Sequence, residues 1–217
     1  MLSELFNNPF SFFVWIVALL VAITIHEFSH AAIADRLGDP TARLMGRLTL
    51  NPLAHLDPFG TLFLLIARVG WGKPVPFDPF NLRNPRRDAA LISLAGPASN
   101  LILASILSLV LRIIPYLPLP HIAFLLIQAF LIPIIILNVA LAIFNLLPVG
   151  PLDGFKIVGG FLPRNLAYQW QELEGYGLFF LLLLLLPLAG GSLLTNILDP
   201  ILSLILTILL PGLGTII

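Results

Sequence analysis

The sequence predicts an all-α polytopic membrane protein, with five transmembrane helices or six and a short re-entrant or β-hairpin-like segment around residues 59–80. Three observations predict it: an apolar composition, repeated apolar stretches of membrane-crossing length, and one interruption rich in proline and glycine. Of the 217 residues, 59% are hydrophobic and 10% charged, against about 45–50% and about 25% in average soluble domains. The mean hydropathy is +1.02. A chain this apolar lacks the polar surface to coat a water-soluble globule, which excludes a soluble enzyme and a disordered segment. Eleven basic and eleven acidic side chains cancel, so no basic field draws nucleic acid. The absence of cysteine excludes a disulfide framework and a thiolate metal site. The length suits one membrane domain, residues 1–217, without a large soluble appendage.

A span needs about 20 mostly apolar residues. The first runs from about Pro9 to Ala34, and Asp35-Arg36 after it reads as a helix end rather than a cleavage site. The second runs from about Ala89 to Leu111 and the third from about Ile122 to Leu147. Tyr176 to Leu188 is apolar but short, and the polar run Leu166 to Gly175 before it belongs at the interface. The last stretch, Ser192 to Leu210, is interrupted by Asp199-Pro200, which reads as an N-cap and a first-turn proline. One kinked helix and two helices both fit that pair. Between the first two spans, Phe59 to Val69 has only 11 residues and is too short to cross. Gly72-Lys73-Pro74-Val75-Pro76-Phe77 follows, and alternating prolines favour extended backbone. Non-helical backbone at membrane depth is tolerated only against protein or water, so this segment implies a cavity.

Orientation follows from the basic residues. With three full spans, the loops 35–87 and 154–175 share a side, and that side holds ten of the eleven lysines and arginines. Only Arg112 falls on the other. The two loops are therefore expected in the cytoplasm and the N-terminus outside.

Ionisable residues within spans are rare and usually functional. The first span holds His26-Glu27-Phe28-Ser29-His30, an H-E-x-x-H motif. Residues four apart share a helix face, so both imidazoles can reach one metal ion. The carboxylate beside the first histidine is then set to take a proton from water. Imidazole and carboxylate donors suit tetrahedral zinc. The bland alternative is a hydrogen-bonded polar knot between helices. A third ligand is sought in Asn145-Leu146-Leu147-Pro148-Val149-Gly150-Pro151-Leu152-Asp153-Gly154, where prolines and glycines end the third helix and free Asp153 to turn inward. His55, in a proline-flanked loop, is the rival ligand, and His121 reads as interfacial.

H-E-x-x-H in one span and a proline-broken Asn145 to Gly154 segment in a later one resemble the site-2 protease family of intramembrane zinc metalloproteases. Further stretches are similar to its compact prokaryotic branch: Arg36 to Ala42, Gly46 to Pro52, His55 to Pro58, Gly72 to Pro76 and Ala95 to Asn100. The resemblance covers residues 10–165, taken as the catalytic core, and residues 166–217 match only in apolar character. Gly150 stands where relatives often have proline. No PDZ-like appendage is expected. The resemblance implies that His26, His30 and Asp153 bind one zinc ion per chain and that Glu27 is the catalytic base. It implies that Asn145 and Asn100 lie near the substrate, a single-span protein of the lipid bilayer. It also implies a prokaryotic plasma membrane as the location.

Nine residues separate His26 from Asp35, roughly 13 Å along a helix. The metal is therefore expected inside the bilayer, nearer the cytoplasm. A transmembrane peptide bond is shielded by its helix and must unwind. Strand addition at Val75, on an edge carrying the N–H groups of Lys73, Val75 and Phe77, is the expected way to hold it. Two other readings compete. A divalent-metal transporter needs polar residues along a whole path, and the outer halves of these spans are nearly pure Leu, Ile, Val, Phe and Ala. An inactive scaffold of the same fold needs no base, yet Glu27 is intact.

Overall fold

The computed structural model describes residues 7–61, 72–188 and 191–210. Among these the regular structure is helical except for a two-residue antiparallel pair, β1 (Pro187–Leu188) with β2 (Gly191–Ser192), and one antiparallel bridge between Leu56 and Gly72. Three helices are long and apolar enough to cross a membrane. These are α1 (Pro9–Arg36), α3 (Pro85–Ile113, extended by a 3₁₀ turn to Tyr116) and α4 (His121–Asn145). The protein is thus a helical, multi-pass membrane protein.

Local chemistry sets each boundary. Asn8 caps α1 by accepting from the Ser11 N–H at 3.1 Å, with Pro9 in the first turn. The helix ends at Gly38, whose φ of +109° reverses the chain, and the Asp39 N–H reaches back to the Ala34 carbonyl at 3.0 Å. Pro85 opens α3, and the Asp88 carboxylate in its first turn accepts from the Asn84 N–H at 2.8 Å.

The packing of α1 on α3 is written in a four-residue period. Val14, Ala18, Ala22, His26, His30 and Ala34 are all buried along one face of α1. Asp88, Ile92, Gly96, Asn100, Ala104 and Ser108 form the matching buried face of α3. Helices in lipid associate through small residues that let backbones approach. Ala18, Ala22, Ala34, Gly96 and Ala104 are the small residues of the shared seam, and the histidines and Asn100 sit among them. The helices run antiparallel: His30 faces Ile92, and Ala22 faces Asn100. Both ends of the connection between them therefore lie at one end of the bundle, as the charge distribution requires. The part of the expected re-entrant segment at 62–71 lies outside the described residues. Residues 73–78 have no helical structure, and the Lys73 N–H bonds the His55 carbonyl at 2.9 Å.

Beyond α4 no further helix among the described residues is long and apolar enough to cross a membrane. The polar run forms a separate helix, α6 (Arg164–Glu172), after α5 (Asp153–Phe161). The next apolar stretch gives only α7 (Gly177–Leu185), about 14 Å long. The last, α8 (Leu193–Leu209), is one helix with Pro200 inside it and Ser192 as its cap, so Asp199-Pro200 starts no new element. Leu206 of α8 packs with Ala104, Ile135 and Val139 in a core shared with α3 and α4. A short helix α2 (Thr41–Leu44) follows α1, and 3₁₀ turns lie at Pro52–Ala54, Pro79–Asn81 and Leu173–Tyr176.

Candidate metal centre

His26 and His30 stand one turn apart on α1, with ring centroids 4.5 Å apart. Gly96 of α3 passes directly over them. A Cβ there would lie 2.5 Å from His30 Nε2 and 2.7 Å from His26 Cε1, so only glycine permits this helix separation. The third group arrives from the chain that follows α4. Asp153 opens α5, and Gly154 lies so close to the Leu146 and Leu147 carbonyls that a Cβ would sit 2.3 Å and 2.4 Å from them. That tight return aims Asp153 at the histidines. Its Oδ2 lies 3.1 Å from His26 Nε2 and 3.2 Å from His30 Nε2. The three residues offer donor atoms that all lie within 4.8 Å of one another.

The hydrogen bonds behind the rings decide what faces the centre. His30 Nδ1 lies 2.7 Å from the Ile92 carbonyl, which can only accept, so Nδ1 carries the proton. His26 Nδ1 lies 2.7 Å from Asn100 Oδ1. The Asn100 amide is oriented by its nitrogen, which donates to the Ala22 carbonyl at 2.9 Å and to Asn138 Oδ1 at 2.7 Å. Its oxygen is therefore the acceptor, and His26 Nδ1 also carries its proton. In its neutral form each ring then presents a bare Nε2 lone pair to the centre. Asp153 Oδ2 faces them, buried and without a hydrogen-bond partner. Three lone pairs converging without a proton between them repel one another. A divalent cation among them turns the repulsion into coordination, and Nδ1–H bonds to carbonyl oxygens are the usual outer support of metal-binding histidines. The donor set, two imidazoles and a carboxylate, suits zinc with one position left open.

Glu27, half-buried beside His26, is held from the opposite side of the loop. Its Oε2 accepts the Val75 N–H at 3.0 Å. The free edge expected on Gly72 to Phe77 is therefore occupied in part: the Lys73 N–H goes to His55 and the Val75 N–H to Glu27. Asn100 also departs from its expected place near substrate. It is fully buried and spends its amide on His26 and two neighbours. The Asn145 side chain donates to the Leu141 carbonyl of its own helix at 2.9 Å, away from the cluster. His55 is fully buried in the loop below, its Nε2 2.8 Å from the Thr49 carbonyl, and His121 is exposed at the start of α4. Gly96 and Asn138 are functional neighbours that motif reading missed. Asn138 carries a visible signal, an amide seven residues before Asn145 on a mostly apolar helix.

The model of peptidase family M50 matches residues 14–130. The chain belongs to peptidase family M50. The matched residues include the H-E-x-x-H helix and Asn100 and end before Asp153, which enters the site through the fold. A Bacillus subtilis protein named "Putative zinc metalloprotease YwhC" is 40% identical over 178 residues, covering 81% of this chain and 81% of the relative. "Putative zinc metalloprotease Rip2" of Mycobacterium tuberculosis is 34% identical over 187 residues, covering 82% of this chain and 70% of the relative. The Rip2 of Mycolicibacterium smegmatis is 33% identical over 181 residues, covering 81% and 67%. No solved structure matches. The M50 membership makes this chain an intramembrane zinc metalloprotease of the site-2 protease type.

Proposed function

We propose that His26, His30 and Asp153 hold the zinc ion, one per chain, and that Glu27 is the catalytic base. The observation that carries this reading is the convergence of three unpaired acceptors, two of them on the helical turn that bears Glu27. Zinc, when bound, supplies a Lewis acid that acidifies water and polarises a carbonyl. Ile92 and Asn100 keep the Nδ1 protons in place and so keep both Nε2 atoms free. The Val75 N–H fixes Glu27 Oε2, which leaves Oε1 to take the proton of the attacking water and return it to the leaving amine.

The proposed substrates are single-span membrane proteins, cut within or near their transmembrane segments. Residues 1–217 act as one membrane-embedded domain, with a catalytic core at about 10–165. The helices after it complete that domain, a reading supported by Leu206 in the core of α3 and α4. We place α7 and α8 in the bilayer as well, giving five membrane segments, because Leu178, Phe179, Leu204 and Ile208 present apolar surface outward. The basic loops 35–87 and 154–175 support a cytoplasmic approach to the site, and the bacterial relatives support a prokaryotic plasma membrane. An unwound substrate meets the extended stretch at Val75, beside Glu27. That contact uses groups other than the Val75 N–H, which Glu27 already accepts. Asn145, at the end of α4, is the remaining candidate for substrate contact.

Glu27→Gln tests the reading. The variant keeps its zinc by elemental analysis, because Glu27 is not among the three ligands. Cleavage of a single-span substrate in vesicles falls by at least about 100-fold. Undiminished cleavage by the purified variant overturns the assignment.

A further inference from the structure

We infer that the bundle end nearest Asp153 binds an anionic phospholipid, its phosphate in a basic cavity and an acyl chain in an adjoining apolar groove. The cavity, of about 690 Å³, opens between the start of α3, α5 and α6. Arg83, Arg86, Arg87, Lys156 and Arg164 line it, with Glu174 as the one acidic member. Among the described residues, none of the five cations pairs with a carboxylate; the one ion pair outside the histidine cluster joins Arg43 to Asp35. Two of the five are pinned by other contacts: Arg86 donates to the Leu162 carbonyl, and Lys156 Nζ sits 5.2 Å from the centre of the Phe77 ring. Arg83, Arg87 and Arg164 are exposed. Five like charges around one cavity repel, and an anion with several oxygens relieves that repulsion.

The second observation tells a lipid from a soluble phosphate. A groove of about 300 Å³, lined by Pro148, Val149, Leu173, Phe180, Leu183 and Leu184, lies alongside the cavity. Phe155 and Trp170 line both spaces. Their rings stack at 4.8 Å and 20°, and the indole N–H donates to the Phe155 carbonyl at 2.9 Å, so the shared wall is rigid. A soluble phosphate fills only the basic side, whereas a phospholipid fills both. The height agrees. Arg83, Arg86 and Arg87 stand at the opening of the membrane-crossing helix α3, the level of headgroups, where basic pockets between helices take anionic lipids. An acidic peptide is disfavoured, because cytoplasmic flanks of membrane spans carry an excess of lysine and arginine.

The position bears on the metal centre. Phe77 lies two residues from Val75, which holds Glu27, and Lys156 lies three residues from Asp153. A lipid held between Phe77 and Lys156 ties the extended stretch to α5.

The full-length zinc protein is reconstituted in phosphatidylcholine vesicles, in phosphatidylcholine with phosphatidylglycerol, and in phosphatidylcholine with added inorganic phosphate. Lipid carried through detergent extraction is counted by native mass spectrometry, and thermal unfolding is followed. Phosphatidylglycerol is retained and raises the unfolding temperature; inorganic phosphate does neither. Arg83→Gln/Arg87→Gln weakens retention roughly 30-fold at about one basic residue's worth each. Arg36→Gln/Arg43→Gln, an equal charge change elsewhere in the same loop, leaves it unchanged. Leu183→Gln weakens retention through the groove alone and serves if the arginine pair proves needed for folding. Equal retention by the two double variants, or by Leu183→Gln and the wild type, overturns the site. Stabilisation by phosphate as strong as by phosphatidylglycerol overturns the lipid assignment.

Discussion

Asp39 and Asp153 are both carboxylates drawn against protein, and they are treated in opposite ways. Asp39 is fully buried, and four donors converge on it. The Thr41 N–H and hydroxyl reach Oδ1 at 3.1 and 2.5 Å, the Asn81 amide reaches it at 2.8 Å, and the Asp78 N–H reaches Oδ2 at 2.7 Å. Asp153 Oδ2 has no donor at all and faces two imidazole nitrogens whose protons point the other way. A satisfied carboxylate is a clamp: Asp39 ties the end of α1 to the loop that returns to α3. An unsatisfied one among other acceptors is a seat for a cation. Unpaired buried polar groups are too costly to persist without a reason, and the contrast tells the two roles apart where burial alone does not.

The largest effect expected from this contrast comes from exchanging the substitutions. Asp153→Ala removes one of the three proposed ligands and two of the converging lone-pair contacts, so zinc and proteolysis are both expected to be lost while the helices stay folded. Asp39→Ala leaves four donors without their acceptor and destabilises the loop by about 3 kcal/mol, while zinc stays bound once the chain is folded. Elemental analysis and limited proteolysis of the 37–84 loop, run on both variants, check the pair. Loss of zinc from Asp39→Ala and its retention by Asp153→Ala would reverse the two roles.

A smaller effect is expected behind the metal centre. Asn100→Leu removes the acceptor that fixes His26 Nδ1 and frees the ring to turn. Zinc affinity falls about 10–100-fold, measured by competition with a chelator. Asn138→Leu acts one step further out, through the Asn100 amide, and costs less. If Asn100→Leu binds zinc like the wild type, the tautomer of His26 is not set by this amide.

The smallest effect is a pH dependence. Burial by itself would raise the Asp39 carboxyl, but the hydrogen bonds from Thr41, Asn81 and the Asp78 and Thr41 backbone outweigh it and hold it below its usual range. A depressed folded value means that Asp39 contributes its full stability above the unfolded value, about 3.9, and loses it as pH falls through the lower folded value. Protease susceptibility of the loop is therefore expected to rise below about pH 4 in the wild type. Asp39→Asn flattens that part of the profile.

Much of this was legible in the residues. H-E-x-x-H inside an apolar stretch points to a metal on one helix face, because i and i+4 coincide whatever the helix packs against. The proline and glycine residues before Asp153 announce a return of the chain, since they cannot continue α4. The ten-to-one charge asymmetry foretells that α1 ends and α3 begins at the same side. What failed depends on tertiary partners. Asn100 is implied to lie near substrate, and its place between the helices shows only once Gly96 lets α3 close on His26. The Val75 N–H looks free until Glu27 is seen across from it. The apolar run at 176–188 is short in the sequence, and its helix is nine residues long. The four-residue stripe of alanines in α1 was itself readable, and it continues into the two histidines.

Zinc held between His26, His30 and Asp153 has a spectroscopic signature, read by zinc X-ray absorption on the purified protein. Two imidazole ligands with the remaining donors oxygen are expected in the wild type, and loss of bound zinc in Asp153→Ala. A third imidazole in the wild-type spectrum, removed by His55→Ala and untouched by Asp153→Ala, would contradict it.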